Sequence, residues 1–302
     1  MRIAVVGAGG VGGLLGALLA RAGSEVSFVA RGAQLAALRS AGLQVEGTVG
    51  NFGTGPLRAA EDPGALGAQD AVLCAVKTWQ VASVAESLRG LGGFVVPLQN
   101  GLEAHDRLAA VLGEERVVGG LCHMFSQIER PGVIRQSGLQ PSVTVGEWKG
   151  GGSPRLEALR AELERAGVAA RIAPAVQAEV WEKALFVEAL GAVGAAVHLP
   201  VGRWRSVPEA RAIVVGAMSE TRAVARAHGV ELPESAIERA LQRIDGLPPE
   251  GTTSMQRDLA AGRPSELDDQ TGAIVRLADR RAVPVPVHRF LLGCLLPHAR
   301  AG

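Results

Sequence analysis

The chain has 302 residues, enough for two domains of roughly 150 residues each. Its 31 basic and 30 acidic residues leave a net charge of +1, so no field is built to hold nucleic acid or a membrane surface. Three cysteines, Cys74, Cys122 and Cys294, are too few and too scattered for a disulfide framework, and no Cys/His cluster suggests a metal. A reduced, cytoplasmic setting fits best.

The opening MRIAVVGAGG lacks the charged, apolar and small-residue succession of a cleaved leader. Residues 2–6 form a short apolar run rich in β-branched side chains. A glycine-rich turn follows, then a helical pattern over Val11 to Ala22 closed by Gly23, then a second apolar run from Glu25 to Ala30. Further strand-like runs are Ala71 to Val76, Phe94 to Leu98 and Val117 to Leu121, with helical segments between the first three. Alternation of this kind implies a parallel sheet covered on both faces. Val133 to Gln136 and Ser142 to Glu147 read as two later strands, compatible with antiparallel pairing. A helix over Arg155 to Arg165 and a strand over Ala169 to Ile172 complete the first half.

Strand signals then vanish. Residues 175–197, 207–228, 233–244, 254–261 and 266–282 read as helices punctuated by prolines. The longest apolar stretch, Ala189 to Val197, is too short to span a bilayer. Residues 1–173 are thus expected to form an α/β Rossmann dinucleotide-binding domain, and 174–302 an all-α C-terminal domain. The tail, 283–302, carries Pro284, Pro286 and Pro297 around Phe290-Leu291-Leu292 and reads either as a cap on the core or as part of an interface. The apolar helical half permits a homodimer.

Gly7-Ala8-Gly9-Gly10-Val11-Gly12 matches G-x-G-x-x-G. The pattern alone is weak in a chain with 40 glycines, but here it follows a strand and opens a helix. The first glycine suits the tight turn, the second lets a pyrophosphate approach the backbone, and the third lets the helix pack on the sheet. The helix start then offers free N–H groups to phosphate. After the second strand, Phe28-Val29-Ala30-Arg31-Gly32 lacks the acid that would hold a ribose 2′-hydroxyl, and Arg31 can instead clamp a 2′-phosphate. NADPH is the expected cofactor.

Composition singles out other positions. Only Lys77, Lys149 and Lys183 are lysines among 31 basic residues, and Asn51 and Asn100 are the only asparagines. Lys, unlike Arg, has a proton it can give up. Lys77 and Asn100 follow strand ends, where ligands bind in open α/β sheets. Each has a plainer reading as a turn or capping residue. Lys183 sits among Trp181, Ala184 and Leu185, an apolar setting for a cation that can protonate a developing oxyanion.

Taken together, Val76-Lys77-Thr78-Trp79-Gln80, Gln99-Asn100-Gly101, Trp181-Glu182-Lys183, the glycine motif and the distal Ser254 and Glu266 resemble the 2-dehydropantoate 2-reductase (ketopantoate reductase) family over nearly the whole chain. The resemblance implies a Rossmann domain followed by a helical domain like that of 6-phosphogluconate dehydrogenases. It also implies hydride transfer from NADPH to the ketone of 2-dehydropantoate, giving pantoate for pantothenate synthesis. By the same resemblance Lys183 is the general acid, Lys77 and Asn100 contact cofactor and substrate, and Gln80 more weakly contacts the cofactor. Ser254 meets the substrate carboxylate, and Glu266 meets a hydroxyl and positions Lys183. The alternative for Ser254 is a helix cap. For Glu266 it is a first-turn acid behind a Ser265/Asp268 capping box.

The family pattern breaks at two positions. It places Asn four and eight residues after the lysine, where this chain has Val187 and Gly191. The first lies on nearly the same helix face as Lys183, so that wall of a substrate site is expected to be apolar. An NADPH reductase of a less polar 2-oxo acid or of an imine is therefore an alternative. A non-catalytic NADP(H)-binding sensor is another, against which the retention of Lys183 and Glu266 argues.

Overall fold

The structure, a computed structural model, describes residues 1–299, and of Leu139 the backbone alone. It divides into two compact units. One comprises Met1–Gln99 and Ala104–Val176, the other Asn100–Glu103 and the chain from Gln177 onward. The division thus falls after Val176, a few residues beyond Pro174, and a short piece of the first half joins the second unit.

The first unit holds strands β1 (Arg2–Val6), β2 (Glu25–Val29), β3 (Gln44–Gly47), β4 (Phe52–Gly53), β5 (Arg58–Ala60), β6 (Ala71–Cys74), β7 (Phe94–Pro97), β8 (Gly119–Arg130), β9 (Val133–Gly146) and β10 (Ala169–Ile172). The main sheet has the order β5-β2-β1-β6-β7 with every pair parallel. Strand order reverses between β1 and β6, and the carboxyl ends of these strands flank the crevice where such sheets take ligands. Near-continuous runs such as IAVV and AVLC suit strands buried on both faces. Helix α1 (Gly10–Arg21) packs Leu14, Leu15, Leu18 and Leu19 at under 2% exposure. Burial on that scale is worth about 1.5–3 kcal/mol for each such side chain. The unit's other helices are α2 (Gly32–Ser40), α3 (Val81–Ala85), α4 (Ala104–Leu112) and α5 (Pro154–Arg165).

A second sheet has the order β10-β9-β3-β4, with β8 antiparallel to β9. Here the two expected strands at 133–136 and 142–147 are one long strand, because both runs pair with the single strand β8; the ladder shifts register between them, from Ser137 opposite Phe125 to Ser142 opposite His123.

The second unit is helical among its described residues: α6 (Val176–Val197, which begins one residue before the division), α7 (Val201–Trp204), α8 (Pro208–Ala227), α9 (Ala236–Asp245), α10 (Ser254–Ala260), a π-helical turn at Asp268–Gly272, α11 (Ala273–Arg280) and α12 (Pro286–Ala299). The tail read from its prolines is therefore mostly helix. Pro286 sits at the first helical position, where a missing N–H costs nothing. Glu220 of α8 accepts from the N–H groups of Val287 at 2.8 Å and His288 at 3.0 Å, satisfying the exposed helix start. Leu291 and Leu295 then enter the core. Residues 300–302 of that tail lie outside the described part. Among the described residues, no helix is long and apolar enough to cross a membrane.

Candidate active site

In the first unit the glycine loop connects β1 to α1. Gly7 has φ +97°, a left-handed conformation that side chains rarely adopt. A Cβ there would lie 2.7 Å from the Val76 nitrogen. At Gly10 it would lie 2.2 Å from the Ser126 carbonyl, and at Gly12 2.1 Å from the Gly7 carbonyl. These three glycines are demanded by the protein's own packing. Gly9, which caps α1 with extended backbone, differs: a Cβ there would meet no atom within 4 Å. Ala8 is buried, and its carbonyl accepts from Gln34 Nε2 at 3.0 Å, while Gln34 Oε1 accepts from the Gly132 N–H at 2.9 Å. Val11 is half-buried. Gln34 thereby ties the loop to α2 and to the β8–β9 turn, a role with no signal in the sequence.

Arg31 is exposed just after β2. Its Nε lies 3.8 Å from a carboxylate oxygen of Glu61, which follows β5. The acid that was missing at the end of β2 thus reaches this neighbourhood from the adjacent strand. Both side chains are more than half exposed, so the pair holds Arg31 weakly. Lys77 is also exposed. Its N–H donates to Gln80 Oε1 at 3.3 Å across a 3₁₀ turn at Thr78–Gln80, so Gln80 has a turn-closing role of its own. Gln99 immediately precedes Asn100. The Gln99 side-chain amide donates to the carbonyls of Cys74 at 2.9 Å and Val76 at 3.1 Å, tying the ends of β6 and β7 together. Its Oε1 is buried with no hydrogen-bond partner. Cys74 itself is buried, and burial pushes its thiol up to about 11, consistent with a structural role.

In the second unit, α6 carries Lys183, half-buried, with Val187 half-buried on nearly the same face. Trp181 is buried and stacks at 6.2 Å on His228, and Glu182 pairs with Arg239 at 2.8 Å, so both neighbours are fixed. Gly191 is closed off: a Cβ there would lie 3.0 Å from Met255 Cε and 3.2 Å from Thr253 Oγ1. Its small size seats the start of α10 against α6. Thr253, not Ser254, caps α10, its hydroxyl accepting from the Gln256 N–H at 3.2 Å. Ser254 is the first helical residue and half-buried, which removes the capping alternative.

Glu266 is 6% exposed and accepts from Gln270 Nε2 at 3.3 Å. The Ser265/Asp268 capping box does not form. The chain is already helical at Leu267, and Ser265 Oγ is buried without a partner. Gln270 Oε1 and Thr271 Oγ1 are likewise buried and unpartnered, and both lie in the π-helical turn. Such turns inside helices recur at functional sites, and buried unpaired polar atoms call for an explanation. Asn100 belongs to this unit rather than to the sheet from which it springs. Leu102 is in the helical core, and Gly101, at φ +93°, lies so close to the Asp269 carbonyl that a Cβ would be 2.5 Å from it.

A family model described as Ketopantoate reductase PanE/ApbA matches residues 3–150, and its C-terminal counterpart matches 175–298. The 2-dehydropantoate 2-reductase of Halobacterium salinarum is 31% identical over 295 residues, 96% of each chain. The chain belongs to the ketopantoate reductase family. The solved structure of a PanE/ApbA family ketopantoate reductase from Ralstonia eutropha JMP134 is 32% identical, covers 99% of this chain and 98% of its own, and superposes with a TM-score of 0.90. A D-mandelate dehydrogenase solved with NADH shares the fold at a TM-score of 0.87 and 21% identity.

Membership makes the chain an oxidoreductase of a family that uses a nicotinamide cofactor, and the first unit fits one. The open face at Gly9 leaves room for a pyrophosphate at the N-terminus of a twelve-residue helix. The orphan Oε1 of Gln99 sits at the strand ends beside the topological switch point, where an amide donor would satisfy it. Among the described residues, no group of three or more His, Cys, Asp or Glu is placed to hold a metal ion.

Proposed function

We propose that this member of the ketopantoate reductase family reduces 2-dehydropantoate to pantoate with NADPH. The observation that carries the reading is in the helical unit. The unit holds a half-buried lysine on α6 and a buried carboxylate, Glu266, whose sequence neighbours Ser265, Gln270 and Thr271 have buried side-chain oxygens with no protein partner. A small polar substrate would satisfy them.

Reduced nicotinamide, when bound, supplies a hydride. The protein's part is to hold the ketone and manage the charge that grows on its oxygen. Lys183 donates a proton to that oxygen as the C–H bond forms, leaving a neutral amine that solvent reprotonates. Glu266 accepts from a substrate hydroxyl and keeps Lys183 oriented. Ser254 donates to the substrate carboxylate, and Asn100 uses its amide as donor and acceptor at once. Gly7, Gly9, Gly10 and Gly12, with Ala8 and Val11, shape the phosphate site. Arg31 meets the 2′-phosphate, and Lys77 with Gln80 line the cofactor's path.

A second reading is favoured by one observation. Val187 and Gly191 leave α6 without amides beyond Lys183, and Gly191 is covered by Thr253 and Met255. A wall of that kind gives no reason to reject substrates lacking a hydroxyl. A comparison of kcat/KM for 2-dehydropantoate and 2-oxoisovalerate, each with NADPH and with NADH, tests both readings. NADPH-selective turnover of 2-dehydropantoate supports the proposal. A preference for it of several hundredfold removes the apolar-wall reading, and similar rates with both acids support that reading. Binding of NADPH with no turnover of any 2-oxo acid or imine would instead identify a sensor.

A further inference from the structure

Glu103 is a buried carboxylate, 9% exposed, three residues beyond Asn100. One of its oxygens accepts from Arg276 Nη2 at 2.7 Å, and the other meets Arg280 Nη2 at 3.4 Å. The Arg276 guanidinium does not stop there. Its Nη1 donates to the Asp268 carboxylate at 2.9 Å, and its Nη2 donates to the Asp268 backbone carbonyl, also at 2.9 Å. Asp268 opens the π-helical turn two residues after Glu266. One planar fork therefore joins the turn that carries Asn100 to the turn that carries Glu266. Gly101 lies against the Asp269 carbonyl in the same turn, so the two segments touch at backbone level as well.

The geometry points to Arg276 as a positioning residue that, with Glu103, holds the Asn100 turn and the Glu266 turn in register, so that both reach one substrate together. The inference rests on the reading of Asn100 and Glu266 given above. Its physical basis is the fork itself. A guanidinium makes several directed hydrogen bonds at fixed angles, whereas an ammonium of equal charge acts as a point. Substrate-holding groups lose large factors in rate from small misplacements, so an arginine that touches no substrate can govern turnover.

The experiment compares wild type with Glu103→Gln, Arg276→Lys, Asn100→Ala and the double variant Asn100→Ala/Glu103→Gln. It measures kcat and KM for 2-dehydropantoate, the Kd for NADPH, and hydrogen exchange at the amides of 100–103 and 266–272. Glu103→Gln and Arg276→Lys are expected to lower kcat/KM by about 10–100-fold, with the NADPH Kd within about twofold of wild type and exchange raised in both segments. In the Asn100→Ala background Glu103→Gln is expected to cost less than about twofold more, because the side chain that Glu103 keeps in register with the Glu266 turn is already gone. An equal cost in both backgrounds, an unchanged kcat/KM in the single variants, or exchange that rises in neither segment overturns the proposal. If wild type turns over no 2-oxo acid, the functional reading fails, and the exchange data still decide whether Arg276 couples the two turns.

Discussion

Glu188 and His288 meet at 2.8 Å inside the helical core, each no more than 3% exposed. The other ring nitrogen of His288 meets Glu220 at 2.6 Å, so one imidazole bridges α6, α8 and α12. Glu188 thus does not replace the missing amides beside Lys183; its carboxylate is engaged in the core. Burial alone would lower the His288 pKa, but the charge of Glu188 and the ring's hydrogen bonds to Glu188 and Glu220 outweigh it and raise the value to about 9. A folded value above the ordinary 6.5 means a stabilisation that is fully present below 6.5 and lost as pH rises through about 9. Its size is on the order of 3 kcal/mol. The melting temperature is expected to fall between pH 7 and pH 10. In His288→Gln it should start lower, because the buried carboxylates lose their cation, and this alkaline slope should flatten. Identical slopes in both proteins would rule the imidazolium out.

Two glycines of the phosphate loop should separate fold from ligand. Gly9→Ala adds a methyl group where no protein atom lies within 4 Å, at a backbone φ of −76° that alanine accepts. Its melting temperature should stay within about 2 °C of wild type, while the NADPH Kd rises tenfold or more. Gly12→Ala drives a methyl group against the Gly7 carbonyl and should cost about 1–3 kcal/mol of stability. Calorimetry and fluorescence titration of NADPH check the pair. Equal losses of stability would mean that Gly9 faces protein rather than ligand.

Cofactor choice rests on Arg31. Arg31→Ala is expected to raise KM for NADPH by about 10–100-fold, from the loss of a charge-assisted pair worth roughly 1.5–3 kcal/mol, and to leave KM for NADH nearly unchanged. Glu61→Gln removes the competing carboxylate 3.8 Å away and should tighten NADPH modestly. If both cofactors weaken together in Arg31→Ala, the arginine supports the fold of the loop and does not read the phosphate.

Much of this was legible from the chain. The short, near-continuous apolar runs and the glycine turn mark β1, α1 and β2 within a residue or two, and the loss of strand signals after Ile172 marks the helical half. Three features stayed hidden, each for a physical reason. The α12 helix was obscured by its prolines. Pro286 starts a helix and Pro297 lies in its last turn, and the cap for its first N–H groups comes from Glu220, far away in sequence. Asn100 follows a strand, so local pattern assigns it to the sheet unit. Leu102 in the helical core, and Glu103 through contacts about 170 residues away in sequence, bind it to the helical one. Finally, Thr253 and Ser254 are equivalent as caps on paper, and only the observed hydrogen bond to Gln256 separates them.

Cysteine chemistry offers a check on the core. Cys74 and Cys122 are buried and Cys294 is exposed. A thiol reagent at pH 8 is expected to modify Cys294 within minutes in the native protein, and all three cysteines after denaturation. The Cys74 thiol, raised to about 11 by burial, should resist even at pH 9. Rapid native labelling of Cys74 would contradict the packing at the end of β6.

Lys183 bears the central claim, and rapid mixing of NADPH-loaded protein with 2-dehydropantoate tests it most directly. Wild type should show single-turnover loss of nicotinamide absorbance. Lys183→Ala should bind NADPH with unchanged affinity but transfer hydride about 10²–10⁴-fold more slowly, the span expected for removing a general acid. A Lys183→Ala protein that oxidises NADPH at the wild-type rate would show that the ketone oxygen takes its proton from another group.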